Sequence, residues 1–558
     1  MNKIWILIVV FAIQNLCSQK NPNAIKVTYE RYSNGELLKQ EPIIIFSDAS
    51  KTIITNKAIV DKKIKIPFEL TKINRSENSI IQWTQLNETT AIQTTDSINL
   101  KKQTFEFLEE AKTILGYPCK KAKTIINSNT LEIWYTTESH LKGSPTLLGQ
   151  NLGLVLEITR NNNFTITATG VEKLKAIPEN AKIPSVATKS LDHLSYKDLI
   201  WKSKFQTITV FEDETINFSD KSKSNDSIFR FANGTIALKK IKFPDINKGS
   251  QVFVDLTSNS NGDAYDRTGS VFIIPKNKGI SFLDGLQSGI STLPTYENGN
   301  GKKYQGVVAT ETYEPLVELM RFFTPFGIQK YNHIELKDKK WYDAVFYRQD
   351  ISELIPFLSN NELELGVFIG NYDQGGHKVS LNITIHPNNN EAEETEKIIP
   401  LFNTTNVMEM AGQEYATMFD TEKGLKVTFT LDKALKNAKL RYITTGHGGW
   451  ENGDEFLPKK NTIFLNNKEI LDFVPWRYDC GSYRLYNPAS GNFNNGLSSS
   501  DYSRSNWCPG TVTNPILIDL GDLEKGTHTM EINIPQGKPE GNSFSSWNVS
   551  GLLIGIEK

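Results

Sequence analysis

The sequence predicts an all-β fold, and two observations support this. Apolar and polar residues alternate along several segments, as in strands with one buried face, for example 425–431, 379–385 and 530–534. Asn-Gly, Asn-Asn and Gly-Asp pairs, which favour tight turns, separate such segments. Helical periodicity is rare: the best candidate helix is 190–202, with Ser190 as the expected N-cap.

Composition divides the chain into a leader and three zones. Lys3, an apolar run from Ile4 to Ile13 and small residues at 17–18 predict a secretory signal cleaved near residue 18, with lipidation of Cys17 as the alternative. The mature protein is therefore expected to be secreted or periplasmic, and bacterial. The predicted domains are a signal peptide at 1–18, a β-rich accessory domain at 19–190, a linker with a helix at 191–205, and two β-rich zones at 206–388 and 389–558.

Charge and cysteine content narrow the classes of partner and scaffold. The 558 residues contain 62 Lys and Arg against 63 Asp and Glu, a balance that argues against nucleic acid or an anionic membrane as partner. After the leader, three cysteines remain, which allows at most one disulfide. We predict a Cys480–Cys508 pair, with two buried free thiols as the alternative, and we expect Cys119 to be a buried thiol. No segment after the leader is long and apolar enough to span a membrane.

The sequence lacks the common motifs of several enzyme classes. Its seven histidines form no HxH or HExxH pattern, so neither a metal nor another cofactor is expected. It has no GxSxG elbow and no phosphate-binding GxxxxGK[ST] loop. The remaining candidate is acid–base chemistry by carboxylates that lie among aromatic residues.

Three loop segments combine acids with aromatic or arginine residues. They are 261–267 (NGDAYDR), 445–456 (TGHGGWENGDEF) and 502–510 (YSRSNWCPG). Taken singly, each is also readily explained as a turn or as core packing. Together they contain the residue types that are typical of a sugar-binding cleft. In such a cleft aromatic faces stack on sugars, while carboxylates and arginine bind hydroxyls. In the third segment, the predicted disulfide would anchor an exposed Arg504 and Trp507.

Four motifs in this order resemble the peptide-N-glycosidase F family over about residues 206–558. DAYDR at 263–267 resembles the family's motif around its principal catalytic aspartate, and FFTP at 322–325 resembles a family F-I-T-P segment. Gly446-His447 with Glu455 resembles the loop of the second essential acid, and RSNWCPG at 504–510 resembles an R-x-x-W-C-P-G segment. The resemblance implies two adjacent antiparallel eight-stranded jelly-roll sandwiches that form one catalytic unit, preceded by a β-rich N-terminal domain.

The resemblance also implies roles for individual residues. Asp266 and Glu455 are expected to be catalytic, without a metal or other cofactor. The expected partners are N-linked glycoproteins and glycopeptides, and the protein is expected to be a monomer. The implied substrate-binding residues are Asp263, Tyr265, Arg267, Phe323, Gly370, Tyr372, His447, Arg504 and Trp507.

The chain departs from the family pattern at one acid. Where the family has a third active-site carboxylate and a tryptophan, this sequence has Gly370 and Tyr372. Larger family members with an extra N-terminal domain look similar here and are associated with tolerance of core α1,3-fucose. The N-terminal zone, with LGYPCKKA at 115–122, resembles GLPGLI-type exported domains and occupies the place of the bowl-like domain of those larger members.

The implied activity is hydrolysis of the amide between asparagine and the first N-acetylglucosamine, which releases the whole glycan and leaves aspartate. Three alternatives stay open at this point. One is an N-glycan-binding protein without catalysis, and another is an endoglycosidase that cleaves between sugars. A copper monooxygenase would need paired histidine and methionine ligands, which the histidine spacing does not offer.

Overall fold

The structure is a computed structural model that divides into two compact units, residues 1–204 and 205–558. It describes residues 23–61, 63, 66–331, 335–388, 396–420, 423–448, 452–488, 499–539 and 543–558. The predicted signal peptide lies outside the described residues, as do residues 449–451 of the second loop segment. Within the described ranges, no helix has both the length and the apolar character needed to cross a bilayer.

The N-terminal unit is built on one 13-stranded sheet. Its strand order is β13-β7-β6-β5-β4-β3-β1-β12-β11-β10-β9-β8, with β2 paired to β1. Cys119 is a buried free thiol in the core of this unit. The strands are β1 Ala24–Ser33, β2 Glu36–Leu37, β3 Ile43–Asp48, β4 Lys51–Asn56, β5 Phe68–Asn74, β6 Ser79–Gln85, β7 Ala91–Asp96, β8 Glu106–Ile114, β9 Tyr117–Ile126, β10 Asn129–Thr136, β11 Leu154–Arg160, β12 Phe164–Leu174 and β13 Thr188–Ser190.

The described part of the N-terminal unit also contains two α-helices, α1 Lys57–Val60 and α2 His193–Lys202. The predicted helix therefore exists, but the expected N-cap is wrong. Ser190 ends β13, where it pairs with β7, and the Asp192 side chain accepts a hydrogen bond from the backbone of Ser195 instead. The strand pairing holds the backbone of Ser190 extended, so the N-cap lies two residues beyond the predicted one, at Asp192.

The second unit begins with a sandwich of two facing sheets. One sheet has the order β14-β24-β17-β22, and the other contains β15-β16-β23-β18-β21. Three short helices, α3 Phe282–Ser288, α4 Ile328–Tyr331 and α5 Ile355–Leu358, lie in its connections. The strands of this part are β14 Gln206–Ile216, β15 Phe229–Phe231, β16 Ile236–Lys242, β17 Gln251–Ser260, β18 Thr268–Ile274, β19 Thr295–Tyr296, β20 Tyr304–Gln305, β21 Val317–Phe323, β22 Val345–Asp350, β23 Glu362–Ile369 and β24 His377–His386.

A second sandwich follows, with sheets β25-β33-β27-β31 and β26-β32-β28-β29. Along β26 buried and exposed residues alternate without exception, as the sequence pattern predicted. The remaining strand, β30, joins the first sandwich by pairing with β21. The strands are β25 Glu396–Asn403, β26 Leu425–Leu431, β27 Leu435–Gly448, β28 Asn461–Leu465, β29 Lys468–Phe473, β30 Val512–Thr513, β31 Ile516–Leu523, β32 Gly526–Asn533 and β33 Ser545–Glu557.

These sheets confirm the predicted all-β fold class. The second sandwich has eight strands in its two sheets, and the first has eight longer strands extended by the short β15 and β30. Because β30 lies late in the chain yet pairs with β21, it fixes the preceding loop, which contains Arg504, against the first sandwich.

A fully buried ion pair stabilises the contact between the sandwiches. Arg321 donates from Nε and Nη2 to Glu318, over 3.0 and 2.6 Å, and from Nη1 to the Thr445 hydroxyl and the Asn548 carbonyl. The Ser550 hydroxyl donates to the same glutamate. Each charge is paired and hydrogen-bonded, which compensates for its desolvation. The network fixes β21 against β27 and β33, the strands that lead into the candidate site.

Candidate active site

Three loops bring two carboxylates and one arginine together between the sandwiches. Asp266 lies between β17 and β18, Glu455 between β27 and β28, and Arg504 just before β30. Arg504 Nη1 is 3.0 Å from Asp266 Oδ2, and the same nitrogen pairs with Glu455 Oε1. The arginine is fully buried, whereas the two acids keep 15% and 18% of their side-chain surface exposed. The two acids are therefore partly open to solvent, and the positive charge of Arg504 lies buried beneath them.

Several contacts hold Arg504 in this position. Its backbone forms a two-way bridge with Arg477, and its Nη2 donates to the Ser499 carbonyl over 2.7 Å. The guanidinium carbon lies 4.3 Å from the ring centroid of Trp507 and 4.9 Å from that of Phe456. Aromatic faces attract a guanidinium through cation–π interactions. The arginine is thus fixed before any substrate arrives.

The predicted disulfide between Cys480 and Cys508 is present. It closes a segment of 28 residues that contains Arg504. We expect the double variant Cys480→Ala/Cys508→Ala to lose about 3–4 kcal/mol of unfolding free energy, because the reduced chain has more freedom when unfolded. Denaturant unfolding measures this loss, and the buried free thiol variant Cys119→Ala is the control for substitution alone. An unchanged unfolding midpoint in the double variant contradicts the prediction.

The two acids have an electrostatic environment suited to proton transfer. Burial raises the pKa of Asp266, and Arg504 opposes this shift. Burial also raises the pKa of Glu455, to about 7, with Arg504 opposing and the Asp266 charge adding to the rise. Catalytic acids and bases work best when they titrate near the operating pH. Glu455 can thus gain or lose a proton near neutral pH.

Asp263 and Arg267 form a supporting ion pair beside this cluster. Arg267 donates from Nε and Nη2 to the two oxygens of Asp263, over 2.7 and 3.0 Å. The Nε2 of buried His377 lies 3.3 Å from the same carboxylate. Burial opposes ionisation of Asp263, but His377 and Arg267 outweigh it, so the pKa of Asp263 is lowered. Asp263 is almost fully buried, and in this structure it orients Arg267.

Arg267 in turn lies between two exposed tyrosines. Its guanidinium carbon is 5.3 Å from the ring centroid of Tyr265 and 5.6 Å from that of Tyr372. The two side chains are 53% and 55% exposed. Large aromatic residues with this exposure, fixed by a cation, provide apolar faces on which sugar rings can stack. Tyr265, Arg267 and Tyr372 together form one wall of the candidate site, the Tyr265–Arg267–Tyr372 wall. All three are predicted substrate-binding residues.

The rings of Phe323, His447 and Trp507 pack together, with Phe323 and Trp507 buried and His447 partly exposed. The Phe323 and Trp507 rings are nearly parallel at 4.4 Å, and the Trp507 indole donates to the Gly446 carbonyl over 2.9 Å. The expectation of an exposed Arg504 and Trp507 is therefore wrong, because the disulfide and this stack draw both side chains into the protein. The Trp507 ring joins this stack to the Arg504 guanidinium.

His447 is unsuited to act as a base in this stack. Burial, and then the charges of Arg321 and Arg504, lower the pKa of His447 to about 3. Its Nε2 is 2.8 Å from the Thr445 hydroxyl. A neutral imidazole so close to two arginines contributes packing and a hydrogen bond, which leaves the proton chemistry to the carboxylates.

Gly370 follows β23 directly and lies close to the Tyr372 wall. Its N–H donates to the Thr268 carbonyl over 3.0 Å. A Cβ at this position would lie 3.1 Å from the ring of Phe368 and 3.7 Å from the Thr268 carbonyl oxygen. Any side chain here must push the Phe368 ring aside by a few tenths of an ångström, whereas glycine leaves that ring in place.

Two residues near the site were not singled out from the sequence. His377 begins β24, whose alternating pattern indicates only a half-buried strand. Glu409 lies in the irregular segment between β25 and β26 and accepts a hydrogen bond from Tyr372. A carboxylate in a loop without a motif carries no signal in a single sequence. Among the residues that the structure describes, no group of three or more His, Cys, Asp or Glu is arranged to hold a metal ion.

A pair of partly exposed carboxylates with raised pKa values between two β-sandwiches is typical of a hydrolase. Comparison with known families identifies which one. Residues 207–385 match "Peptide-N-glycosidase F, N terminal", residues 414–554 match "Peptide-N-glycosidase F, C terminal", and residues 27–198 match "N-glycanase peptide, N-terminal domain". The chain belongs to the peptide-N-glycosidase F family.

Two solved structures agree with this assignment. Two structures of PNGF-II, in space groups C2 and P21, are 54% identical to this chain and cover 96% of it. The match spans 98% and 100% of those chains, with TM-scores of 0.87 and 0.89. PNGase F of Flavobacterium meningosepticum, described as a glycosylasparaginase, is 17% identical, with a TM-score of 0.41 over 63% of this chain and 96% of its own. A search among curated proteins found no match.

Proposed function

We propose that the protein hydrolyses the amide bond between an asparagine side chain and the first N-acetylglucosamine of N-linked glycoproteins and glycopeptides. The products are the released glycan, as a glycosylamine, and a peptide in which aspartate replaces asparagine. The observation that carries the proposal is the contact of one buried arginine with both Asp266 and Glu455. The PNGF-II structures, at 54% identity over nearly the whole chain, support the same activity.

Amide hydrolysis requires a base for the attacking water and a proton for the leaving nitrogen. Asp266 is the main acid/base at the scissile bond, because it is the residue after Tyr265 in the chain and because its pKa is raised. Ionised Glu455 accepts a hydrogen bond from the attacking water or from the first sugar. Arg504 keeps both carboxylates in place and limits the rise of their pKa values.

The rate of glycan release should depend on the ionisation of Glu455. With its pKa at about 7, this side chain is mostly protonated below that value and ionised above it. We expect the rate to rise with pH and to level off above about 7, because the ionised form holds the water. In Glu455→Gln, which carries no charge at any pH, this rise should be lost. A wild-type rate that is constant across this range, or a Gln variant with the same profile, contradicts the assigned role.

Mass spectrometry of a glycopeptide, before and after incubation, tests the function directly. An amidase leaves a sugar-free peptide with aspartate in place of asparagine. An endoglycosidase leaves one sugar on the peptide, and a binding protein leaves the glycopeptide intact. Aspartate in the product supports the proposal, and either of the other results overturns it.

We further propose that the site accepts glycans with core α1,3-fucose, because Gly370 has no side chain two residues before Tyr372. Gly370→Glu should reduce release of an α1,3-fucosylated glycan about tenfold or more, since steric rejection of this kind costs a few kcal/mol. Release of the same glycan without fucose should change less. Paired glycopeptides that differ only in the fucose measure this ratio. Gly279→Glu is the control, because a Cβ at Gly279 has no neighbour within 4 Å. An unchanged ratio dismisses the steric explanation.

The proposal also covers location and assembly. The leader at 1–18 directs export and is removed near residue 18, so the enzyme acts in the periplasm or outside the cell as a monomer. N-terminal sequencing of exported protein and sedimentation of the purified enzyme test these two statements. An intact leader would contradict the first, and a stable dimer at working concentration the second.

A further inference from the structure

A hydrogen bond joins the two sandwiches beside the candidate site. Glu409, in the 3-10 turn Glu409–Ala411, is partly exposed. The hydroxyl of Tyr372, which follows β23 of the first sandwich, donates to Glu409 Oε1 over 2.8 Å. Asn406 Nδ2 donates to Oε2 over 2.7 Å. A carboxylate from the second half of the unit therefore holds an aromatic side chain of the first.

Tyr372 has few other restraints. Arg267 lies 5.6 Å from its ring centroid, and Phe218 meets it edge-on at 6.2 Å. With more than half of its surface exposed, the ring is not held by close packing. The bond to Glu409 is thus the contact that fixes the outer end of the side chain.

The Tyr372 hydroxyl remains a hydrogen-bond donor across the working pH range. Burial, and then Glu409, raise the pKa of Tyr372 to about 12, so its hydroxyl stays protonated and remains a donor. Burial and the same carboxylate raise the pKa of Tyr415. Glu409 is therefore surrounded by hydroxyl and amide groups, and the Arg267 guanidinium lies across the Tyr372 ring.

We propose that Glu409 is a positioning residue that orients Tyr372 as the sugar-contacting wall of the site. This inference rests on the proposed amidase function and identifies a determinant of substrate affinity in that site. A preoriented aromatic face loses less conformational entropy when a sugar stacks on it. Glu409 therefore acts on binding of the glycan and leaves the chemistry at Asp266 unchanged.

Kinetics of three variants test the proposal: Glu409→Ala, Tyr372→Phe and the double variant. Each single variant breaks the same hydrogen bond, so each should raise KM for a glycopeptide about five- to tenfold, as expected for one hydrogen bond. The kcat value should stay within about twofold, because the interaction is the same in the ground and transition states. The double variant should be no worse than the poorer single variant, because the two changes remove one interaction.

Glu414→Ala is the matched control, since Glu414 lies on the same segment and bonds Thr417 instead. It should leave KM unchanged. Additive effects of the two single substitutions, or a fall in kcat at constant KM, overturn the inference. If the wild-type protein releases glycan but both variants keep its KM, only this inference fails. If the wild-type protein releases none, the proposed function fails with it.

Discussion

Asp266→Asn is expected to lose glycan release by about 10²–10⁴-fold, the range for removal of a general acid/base. Asparagine has the same shape as aspartate but neither accepts nor delivers a proton at working pH. The Asp266 side chain pairs with Arg504 alone among the described residues, so the substitution should preserve the fold. Glycopeptide binding should survive, because the Tyr265–Arg267–Tyr372 wall does not depend on this carboxylate for its contacts.

Asp255→Asn is the matched control for this variant. Asp255 is also a largely buried aspartate of the first sandwich, with Arg348 at 3.5 Å and a hydrogen bond from Thr384. It lies in β17, within the sheet that does not carry β18. The control should keep full activity. A rate near the wild-type value for Asp266→Asn would exclude Asp266 as the main acid/base.

The same variant reports on the neighbouring acid. The Asp266 charge contributes to the raised pKa of Glu455, so its removal should lower that pKa. The residual activity of Asp266→Asn should therefore reach its plateau at lower pH than in the wild-type protein. Together the rate and the profile separate the chemical role of Asp266 from its electrostatic effect on Glu455.

Much of the fold could be predicted from one-dimensional patterns. The strict alternation at 425–431 corresponds to β26, residue for residue, because one face of that strand is buried and the other is solvated. The pairing of β30 with β21 had no such signal, since two residues contain no period and the partner strand is far away in the chain. Sequence periodicity reports local burial, whereas a long-range pairing depends on the geometry of both sandwiches.

The candidate site, too, could be predicted from the sequence only in part. The motifs around Asp266, Glu455 and Arg504 supplied the residues, and the structure brings those three together. The prediction that Arg504 and Trp507 are exposed was wrong. A loop rich in polar residues indicates exposure, and only the packing of the folded protein shows that these two side chains are buried. Glu409 was missed because its significance lies in a contact with Tyr372 across the sandwich junction.

Arg504→Met is expected to be the other severe variant. It removes the cation that, among the described residues, contacts both acids, and leaves two carboxylates close together in a poorly solvated site. Breaking a buried ion pair on one side costs about 3–5 kcal/mol, so the free energy of unfolding should fall by that amount. Glycan release should fall by about 10²–10³-fold, the usual effect of removing one preorganised charge-stabilising group.

The pH profile distinguishes a catalytic effect from simple loss of stability. Arg504 lowers the pKa of Asp266 and of Glu455, so both pKa values should rise when it is removed. The rise of activity with pH should therefore move to higher pH in Arg504→Met. Arg504→Lys keeps the positive charge, but a lysine cannot pair with both acids and also donate to Ser499. Its rate and its pH profile should therefore lie between those of the wild-type protein and of Arg504→Met.

Arg441→Met provides the control for destabilisation. Arg441 is an equally buried arginine of the second sandwich that pairs with Glu353 and donates to the Glu318 carbonyl, without contact to Asp266 or Glu455. Its loss should lower the unfolding free energy by a similar amount and leave the pH profile of the remaining folded enzyme unchanged. An Arg504→Met profile that coincides with that of Arg441→Met would mean that Arg504 only supports the fold. A profile shifted to higher pH in Arg504→Met alone assigns it the electrostatic control of both acids.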